Sequence, residues 1–206
     1  MGARTAAELV RRGELSPAEG ARLLTFCNNA GPAFAIGVAG VSVFGSARTG
    51  AWLYLLHCAA ALLTGLLFCR RPLPVTAMPK RPVPPRAGLT GQFLRAVEGA
   101  VSAMARVCGF VVFFLVLLRV MGRVTGLSHP VLSGAVELTQ GILALPHTRR
   151  GFVWAAGLLG WGGLSVHGQS AAVLSGTDLP MGPYLAAKAA HAAVSVLLAW
   201  PVSMCL

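Results

Sequence analysis

Apolar residues form long, nearly charge-free stretches along this chain, and short polar segments separate them. A helix needs about 20 apolar residues to cross the hydrocarbon core of a bilayer. The pattern predicts uninterrupted spans at 50–69 and 183–204. It also predicts a helix at 91–121 that is amphipathic in its first half and apolar in its second half. The fold class that follows is an all-α, polytopic membrane helix bundle.

Other apolar segments contain residues that interrupt a helix. Segment 24–45 includes Asn28-Asn29-Ala30-Gly31-Pro32, and proline both lacks an amide N–H and disfavours helix at the residue before it. Segment 151–174 contains Trp-Gly-Gly followed by further polar residues, and segment 128–146 is only weakly apolar. We therefore expect broken or re-entrant helices, and about six membrane segments in all.

The two interrupted segments are each followed by a similar span. His57 precedes a run of Ala and Leu, and so does His191. A broken helix followed by a full span would then occur twice. Internal repeats of this kind are typical of transporter folds, so the sequence predicts a degenerate repeat.

Four regions follow from the polar segments. Residues 1–25 are predicted to form a cytoplasmic helical hairpin, with Ser16-Pro17-Ala18-Glu19 opening its second helix. Residues 26–69 hold a broken helix and a span. Residues 70–91 form a basic loop with many prolines, which we assign to the cytoplasm. Residues 92–206 hold the amphipathic helix, the other broken segments and further spans.

The expected topology starts from a cytoplasmic N-terminus. Six crossings would place Arg149 and Arg150 inside the cell and Asp178 outside. Lys and Arg are enriched in the short cytoplasmic loops of membrane proteins. The basic loop at 70–91 and the Arg149-Arg150 pair agree with this rule, whereas Arg48, Arg119 and Arg123 would lie outside, against it. If segment 24–45 is re-entrant instead, the count of crossings changes by one.

Composition excludes several classes of protein. Only 11% of the residues are charged, against about 25% in a soluble domain. The net charge of +11 lies in short segments between apolar stretches, without an aromatic-rich basic module, so nucleic acid is not predicted as a partner. No catalytic motif is present, and none of the five cysteines forms a C-x-x-C pair. We predict no enzyme activity, no cofactor and no metal.

Interrupted helices persist at membrane depth where they face protein or a water-filled cavity, and transporters build their binding sites there. Asn28 and Asn29 could line a substrate path or only join helices by hydrogen bonds. Glu137 is either an intramembrane functional group or an interfacial one, and His167 either contacts a substrate or is a satisfied buried residue. The predicted substrate-pathway residues are Asn28, Asn29, Gly31, Pro32, Glu137, Thr139, Gln140, Gly141, Trp161, Gly162, Gly163, Ser165, His167 and Gln169.

Four stretches carry a resemblance to a known family. Residues 2–9, 13–15 and 21–34, which include the double Asn, and residues 159–169, which include Trp-Gly-Gly, resemble the sporulation integral membrane protein YlbJ family. The resemblance implies a nucleoside-recognition (Gate) domain, a multi-pass cell-membrane location and a role in forming the spore cortex. It implies a transporter-like protein of unsettled substrate. The alternatives are a non-transporting scaffold for sporulation partners or an inactive fragment.

Members of that family are about twice as long as this chain. In them a Ser-Gly-aromatic-Pro signature precedes the Gly-Ala that stands here as Gly2-Ala3. We therefore expect the chain to correspond to the C-terminal half, through either a late start codon or truncation. The expected partners are the lipid bilayer, a small-molecule or ion substrate, and either sporulation membrane proteins or a second copy.

Overall fold

A computed structural model describes residues 2–69, 88–126 and 129–205. These residues form helices and no strands, so the predicted all-α membrane bundle is confirmed. Besides a π-helix at Ala33–Val43, the helices are α1 Gly2–Arg11, α2 Pro17–Cys27, α3 Ala47–Phe68, α4 Leu89–Thr125, α5 Pro130–Val136, α6 Leu138–Leu143, α7 Arg149–Trp161, α8 Gly163–Leu174 and α9 Met181–Val202.

Among the described residues, three helices are long and apolar enough to cross a membrane by themselves, namely α3, α4 and α9. The count of about six membrane segments therefore stays a prediction. Of the predicted basic loop at 70–91, residues 70–87 lie outside the described residues, and α4 begins at Leu89.

The first helical hairpin forms as its capping residues predict. The Ser16 hydroxyl accepts a hydrogen bond from the amide of Glu19, and the Glu19 carboxylate accepts one from the amide of Ser16. Small residues of α1, including Ala3 and Ala7, pack against Leu24 of α2. The same cluster includes Leu174 and Leu179, so α1 and α2 lie against the bundle at the end where α8 leads into α9.

The first broken helix consists of α2 and the π-helix, with residues 28–31 non-helical between them. The pair lies antiparallel along the whole of α3. Phe26 packs on Gly65, the amide of Ala30 donates to the His57 ring, and Gly40 packs on Gly50. The break therefore lies at the middle of α3, and the chain continues past it to the opposite end of the bundle.

The second broken helix consists of α7 and α8. Gly162 and Gly163 separate them with φ angles of +90° and +81°, which only glycine adopts without strain. The pair lies antiparallel along α9, because a Cβ on Gly160 would lie 2.7 Å from the Cα of Ala192, and His167 contacts Tyr184 further along.

The two units of broken helix and full helix run in opposite directions. Phe44, after the π-helix, packs on Phe152 near the start of α7, whereas Gly20 of α2 packs on Leu179 before α9. His57 is the eleventh residue of α3 and His191 the eleventh of α9, and their rings stack with centroids 4.6 Å apart. The arrangement is that of an inverted-topology repeat.

Helices α5 and α6 form a short hairpin between α4 and α7. Gly134 of α5 and Gly141 of α6 pack backbone against backbone, and Glu137 lies at the tip. The tip contacts the second break, since a Cβ on Gly163 would lie 3.0 Å from the amide of Leu138. Residues 129–146 therefore turn back on themselves within the bundle.

The arrangement of Arg149 and Asp178 differs from the expected topology. Leu179 packs with α1 and α2, so Asp178 lies at the same end of the bundle as the N-terminal helices. Arg149 begins α7 at the opposite end, next to the residues that follow the π-helix. The difference arises because the expected topology counts segment 128–146 as a crossing. The sides of the membrane on which the two residues lie stay a prediction.

Candidate functional site

A cavity of about 680 Å³ lies where the two breaks and the tip of the α5–α6 hairpin meet. It is also bordered by residues of α1 and α4, among them Arg4 and Arg106. Both units of the inverted repeat contribute to its wall. The predicted residues that line it are Asn28, Asn29, Gly31, Glu137, Thr139, Gly162, Ser165 and Gln169.

The other predicted residues lie outside this wall and support it. Gly141 and Gly163 allow close backbone contact within the hairpin and against it. The Trp161 indole N–H donates a 3.0 Å hydrogen bond to the carbonyl of Ala135, which fixes the hairpin to the end of α7. Pro32 begins the helical turn that leads into the π-helix. Gln140 faces a second cavity beside α4.

Asn28 joins three elements at the first break. Its Oδ1 accepts a 3.3 Å hydrogen bond from the amide of Ala3, at the start of α1. Its Nδ2 donates to the Ser170 hydroxyl at 2.9 Å and to the Tyr184 hydroxyl at 3.0 Å. The side chain therefore connects α1, α8 and α9, and both interpretations of the sequence apply to it, since it lines the cavity and holds helices together.

His167 belongs to the same network as Asn28. Its Nδ1 lies 3.2 Å from the Tyr184 hydroxyl, and its ring meets the Trp161 ring edge to face at 4.4 Å. His167 therefore lies buried behind the cavity wall.

Lys188 is the residue of the site that the sequence reasoning missed. It lines the cavity, yet it is 2% exposed. Its Nζ lies 3.3 Å from the carbonyl of Asn28 and 3.3 Å from Nδ1 of His191. Among the described residues no carboxylate forms an ion pair with it. The signal was present, because Lys188 stands inside the span predicted at 183–204, and an ionisable residue inside a span marks a functional candidate.

The hydrogen-bond chain continues from Lys188 to the centre of the repeat. With Nδ1 of His191 accepting from the lysine amine, its Nε2 carries the hydrogen and donates to the carbonyl of His57 at 3.1 Å. Nε2 of His57 in turn accepts from the amide of Ala30 at 3.2 Å, in the first break. The two stacked histidines thus connect the middle of one unit to the break of the other.

Glu137 is buried at the tip of the hairpin and lines the cavity, with 2% of its surface exposed. Its carboxylate accepts a 2.8 Å hydrogen bond from the amide of Gln140 and so caps α6. The site therefore contains one buried carboxylate and one buried amine on different walls.

The start of α8 presents hydrogen-bond donors to the cavity. No side chain caps this helix, and the Ser165 hydroxyl in its first turn is 1% exposed without a partner among the described residues. A helix N-terminus carries partial positive charge.

Glu8 of α1 lies at the outer rim of the cavity. The hydrogen bond from Arg12 lowers the pKa of the Glu8 carboxyl, and burial opposes this with a smaller effect, so Glu8 is ionised there.

Comparison with known proteins gives one informative relative. The sporulation integral membrane protein YlbJ of Bacillus subtilis (strain 168) is 27% identical over 252 aligned residues, which cover 97% of this chain. This chain is similar to YlbJ. The resemblance inferred from the double Asn and the Trp-Gly-Gly motif is thereby confirmed.

The chain spans 60% of the length of YlbJ. Both breaks, the hairpin and Lys188 lie within the region that is similar to YlbJ, since the match covers almost the whole chain. No family model and no solved structure matches the chain. Together with the three candidate spans, the similarity to YlbJ supports a multi-pass membrane protein.

Proposed function

We propose that this protein is a transporter-like membrane protein that acts in spore formation and binds a small polar solute in the cavity between its two broken helices. The observation that carries the proposal is the cavity itself, which both units of the inverted repeat and the hairpin tip enclose. Secondary transporters place their substrate sites between such repeats, at interrupted helices. The similarity to YlbJ supports the setting of sporulation.

The charges of the cavity favour a solute with a negatively charged group. A buried ammonium without a counter-ion is costly, and an anion in the cavity would offset that cost at Lys188. The hydroxyl of Ser165 and the start of α8 add donors on the adjoining wall. Glu137, on the hairpin, would accept hydrogen bonds from another part of the same solute.

The alternative of a scaffold without transport has less support from the structure. A scaffold would dock its partners on the hairpin at 3–25 and on the loop at 70–91. In the hairpin, α1 buries Ala3, Ala6 and Ala7 against the bundle. Of the loop, residues 70–87 lie outside the described residues. A scaffold also gains nothing from a lysine buried beside a polar cavity. The breaks, the hairpin and Lys188, which form the proposed site, all lie within this chain.

Transport can be tested with a mixture of solutes. Proteoliposomes containing the full chain would be incubated with a small-molecule extract of sporulating cells, and their contents analysed by mass spectrometry. We expect at least one anionic solute to accumulate with the wild-type protein and not with Lys188→Met. Arg149→Gln is the matched control, because it removes one positive charge far from the cavity.

The outcome distinguishes the two functions. Accumulation that is equal in wild type, Lys188→Met and empty liposomes would reject transport through this cavity. In the native host, the Lys188→Met protein should reach the membrane at wild-type levels and still fail to support sporulation. A scaffold would keep its sporulation phenotype after the same substitution.

A further inference from the structure

A second cavity, of about 410 Å³, lies between the C-terminal part of α4 and the outer side of the α5–α6 hairpin. It is separate from the proposed substrate cavity. Two arginines of α4, Arg119 and Arg123, stand one turn apart on its wall, and Ser133 and Gln140 of the hairpin face them. Leu115 and Leu118 continue the same wall towards the middle of the bundle.

The cavity lies in the half of the bundle away from α1. A hydrogen bond of 2.7 Å from Arg4 to the carbonyl of Gly99 joins that point of α4 to α1, and Phe110 of α4 packs on Gly168 of α8. Arg119 lies twenty residues beyond Gly99, a rise of about 30 Å along the helix. Arg119 and Arg123 therefore face the hairpin from the part of α4 that is far from α1.

The polar groups of this cavity have no partners among the described residues. Within that part of the chain, no hydrogen bond or ion pair engages the guanidinium groups of Arg119 and Arg123, the Ser133 hydroxyl or the Gln140 side-chain amide. Two guanidinium groups one helical turn apart on the same wall can bind a single phosphate, to which arginine donates paired hydrogen bonds. The hydroxyl and the amide supply further donors.

The apolar part of the wall indicates what carries the phosphate. Leu115 lies one turn deeper than Arg119 on the same face of α4, and Val112 and Val116 beside it are exposed on the surface that faces lipid. A ligand held here would place a phosphate beside the arginines and an apolar chain along the leucines. Arginine donors for a head group next to an apolar wall for a chain are the two features that an anionic lipid requires.

We propose that the cavity formed by Arg119, Arg123, Ser133 and Gln140 binds the phosphate of an anionic phospholipid, whose acyl chain lies along Leu115 and Leu118. The bound lipid would join α4 to the hairpin that carries Glu137 at its tip. This proposal does not depend on transport, because the cavity and its residues are distinct from the substrate cavity.

Native mass spectrometry of the detergent-purified full chain tests the proposal. The protein would be titrated with phosphatidylglycerol and, in parallel, with diacylglycerol, which lacks the phosphate. We expect wild type to retain phosphatidylglycerol in preference to diacylglycerol. The double variant R119Q/R123Q should bind phosphatidylglycerol at least about tenfold more weakly, because it loses the charge-assisted hydrogen bonds to the phosphate.

The matched control is R149Q/R150Q, which removes the same charge at the same end of the bundle but outside the cavity. It should retain phosphatidylglycerol like wild type. An equal loss in both double variants would show charge attraction without a site and overturn the proposal, as would unchanged binding in R119Q/R123Q. If that variant does not fold, the single variants Arg119→Gln and Arg123→Gln should each show a partial loss, and wild-type binding in both would overturn the proposal.

A free phosphate could meet the same donors, and a second measurement separates the two sources. The thermal unfolding of lipid-free protein in detergent would be followed with millimolar inorganic phosphate and with phosphatidylglycerol. We expect only the lipid to raise the midpoint of wild type. An equal rise with inorganic phosphate, absent in R119Q/R123Q, would overturn the lipid in favour of a soluble phosphate ligand.

Discussion

Two neighbouring asparagines show how differently one amino acid can act at adjacent positions. Asn28 and Asn29 both follow α2, where the helix ends before Gly31-Pro32. The side chain of Asn28 makes three hydrogen bonds, to α1, α8 and α9. The side chain of Asn29 donates only to the carbonyl of Phe26, within its own turn. Asn28 therefore couples the two units of the repeat, and Asn29 does not.

We predict that Asn28→Leu lowers the free energy of unfolding by about 1–3 kcal/mol, because three hydrogen bonds are lost and the Tyr184 hydroxyl loses a donor. Asn29→Leu should change it by less than about 0.5 kcal/mol, since its one bond is local and exposed. Unfolding in detergent, followed by circular dichroism, measures both. A loss as large for Asn29→Leu as for Asn28→Leu would contradict this account of the break.

At the residue scale, the sequence predicted the break better than the network around it. Two Asn before Gly-Pro cannot continue a helix, so local chemistry was enough to identify Asn28. The partners Ser170 and Tyr184 lie more than 140 positions away along the chain. No local pattern connects such residues. Lys188 was within reach of sequence reasoning, because a charge inside an apolar span is visible in the sequence, but only the embedded acid was weighed.

Glycine sets the spacing between helices within each unit. Gly40 of the π-helix packs directly on Gly50 of α3, and Gly160 of α7 on Ala192 of α9. Small residues let helix backbones approach closely in membranes, where dispersion and hydrogen bonds drive association. Gly37 lies on the same π-helix, but a side chain there would meet no atom within 4 Å.

We predict that Gly40→Ala destabilises the protein by about 1–3 kcal/mol, because the new methyl group would overlap the backbone of α3. Gly37→Ala should be neutral or slightly stabilising, since alanine favours a helical backbone and finds open space. The midpoint of thermal unfolding in detergent compares the two variants. Equal destabilisation by both would show that the π-helix is not packed on α3 at Gly40.

The elements that the sequence predicted least well are the short ones. Long apolar stretches predicted α3 and α9, because their length matches the bilayer. The hairpin of α5 and α6 was taken for a crossing, since segment 128–146 has the length of one. The turn of the hairpin depends on the contact between Gly134 and Gly141. These residues are seven positions apart, and the mean hydropathy of the segment does not reveal that they touch.

At the scale of the whole molecule, the inverted repeat and the hairpin determine which end of each helix faces which side. The end of the bundle that carries α1 also carries the C-terminal end of α3, the start of α4 and the segment before α9. Among the described residues, the basic positions 4, 11, 12, 22 and 95 belong to that end, and the sequence that joins α3 to α4 adds five more, at 70, 71, 80, 81 and 86. Five belong to the opposite end, at 48, 119, 123, 149 and 150. The positive-inside rule therefore assigns the α1 end to the cytoplasm.

Accessibility of single cysteines tests this assignment. In a variant without the five native cysteines, we expect Arg149→Cys to react with a membrane-impermeant thiol reagent in intact cells. Glu14→Cys and Asp178→Cys should react only after permeabilisation, because Leu179 holds the segment before α9 against α1 and α2. Leu197→Cys, at a position 71% exposed within α9, serves as the control and should stay unlabelled in lipid. Six crossings would give the reverse pattern at Arg149 and Asp178, since an added crossing between α4 and α7 inverts both positions while leaving Glu14 unchanged.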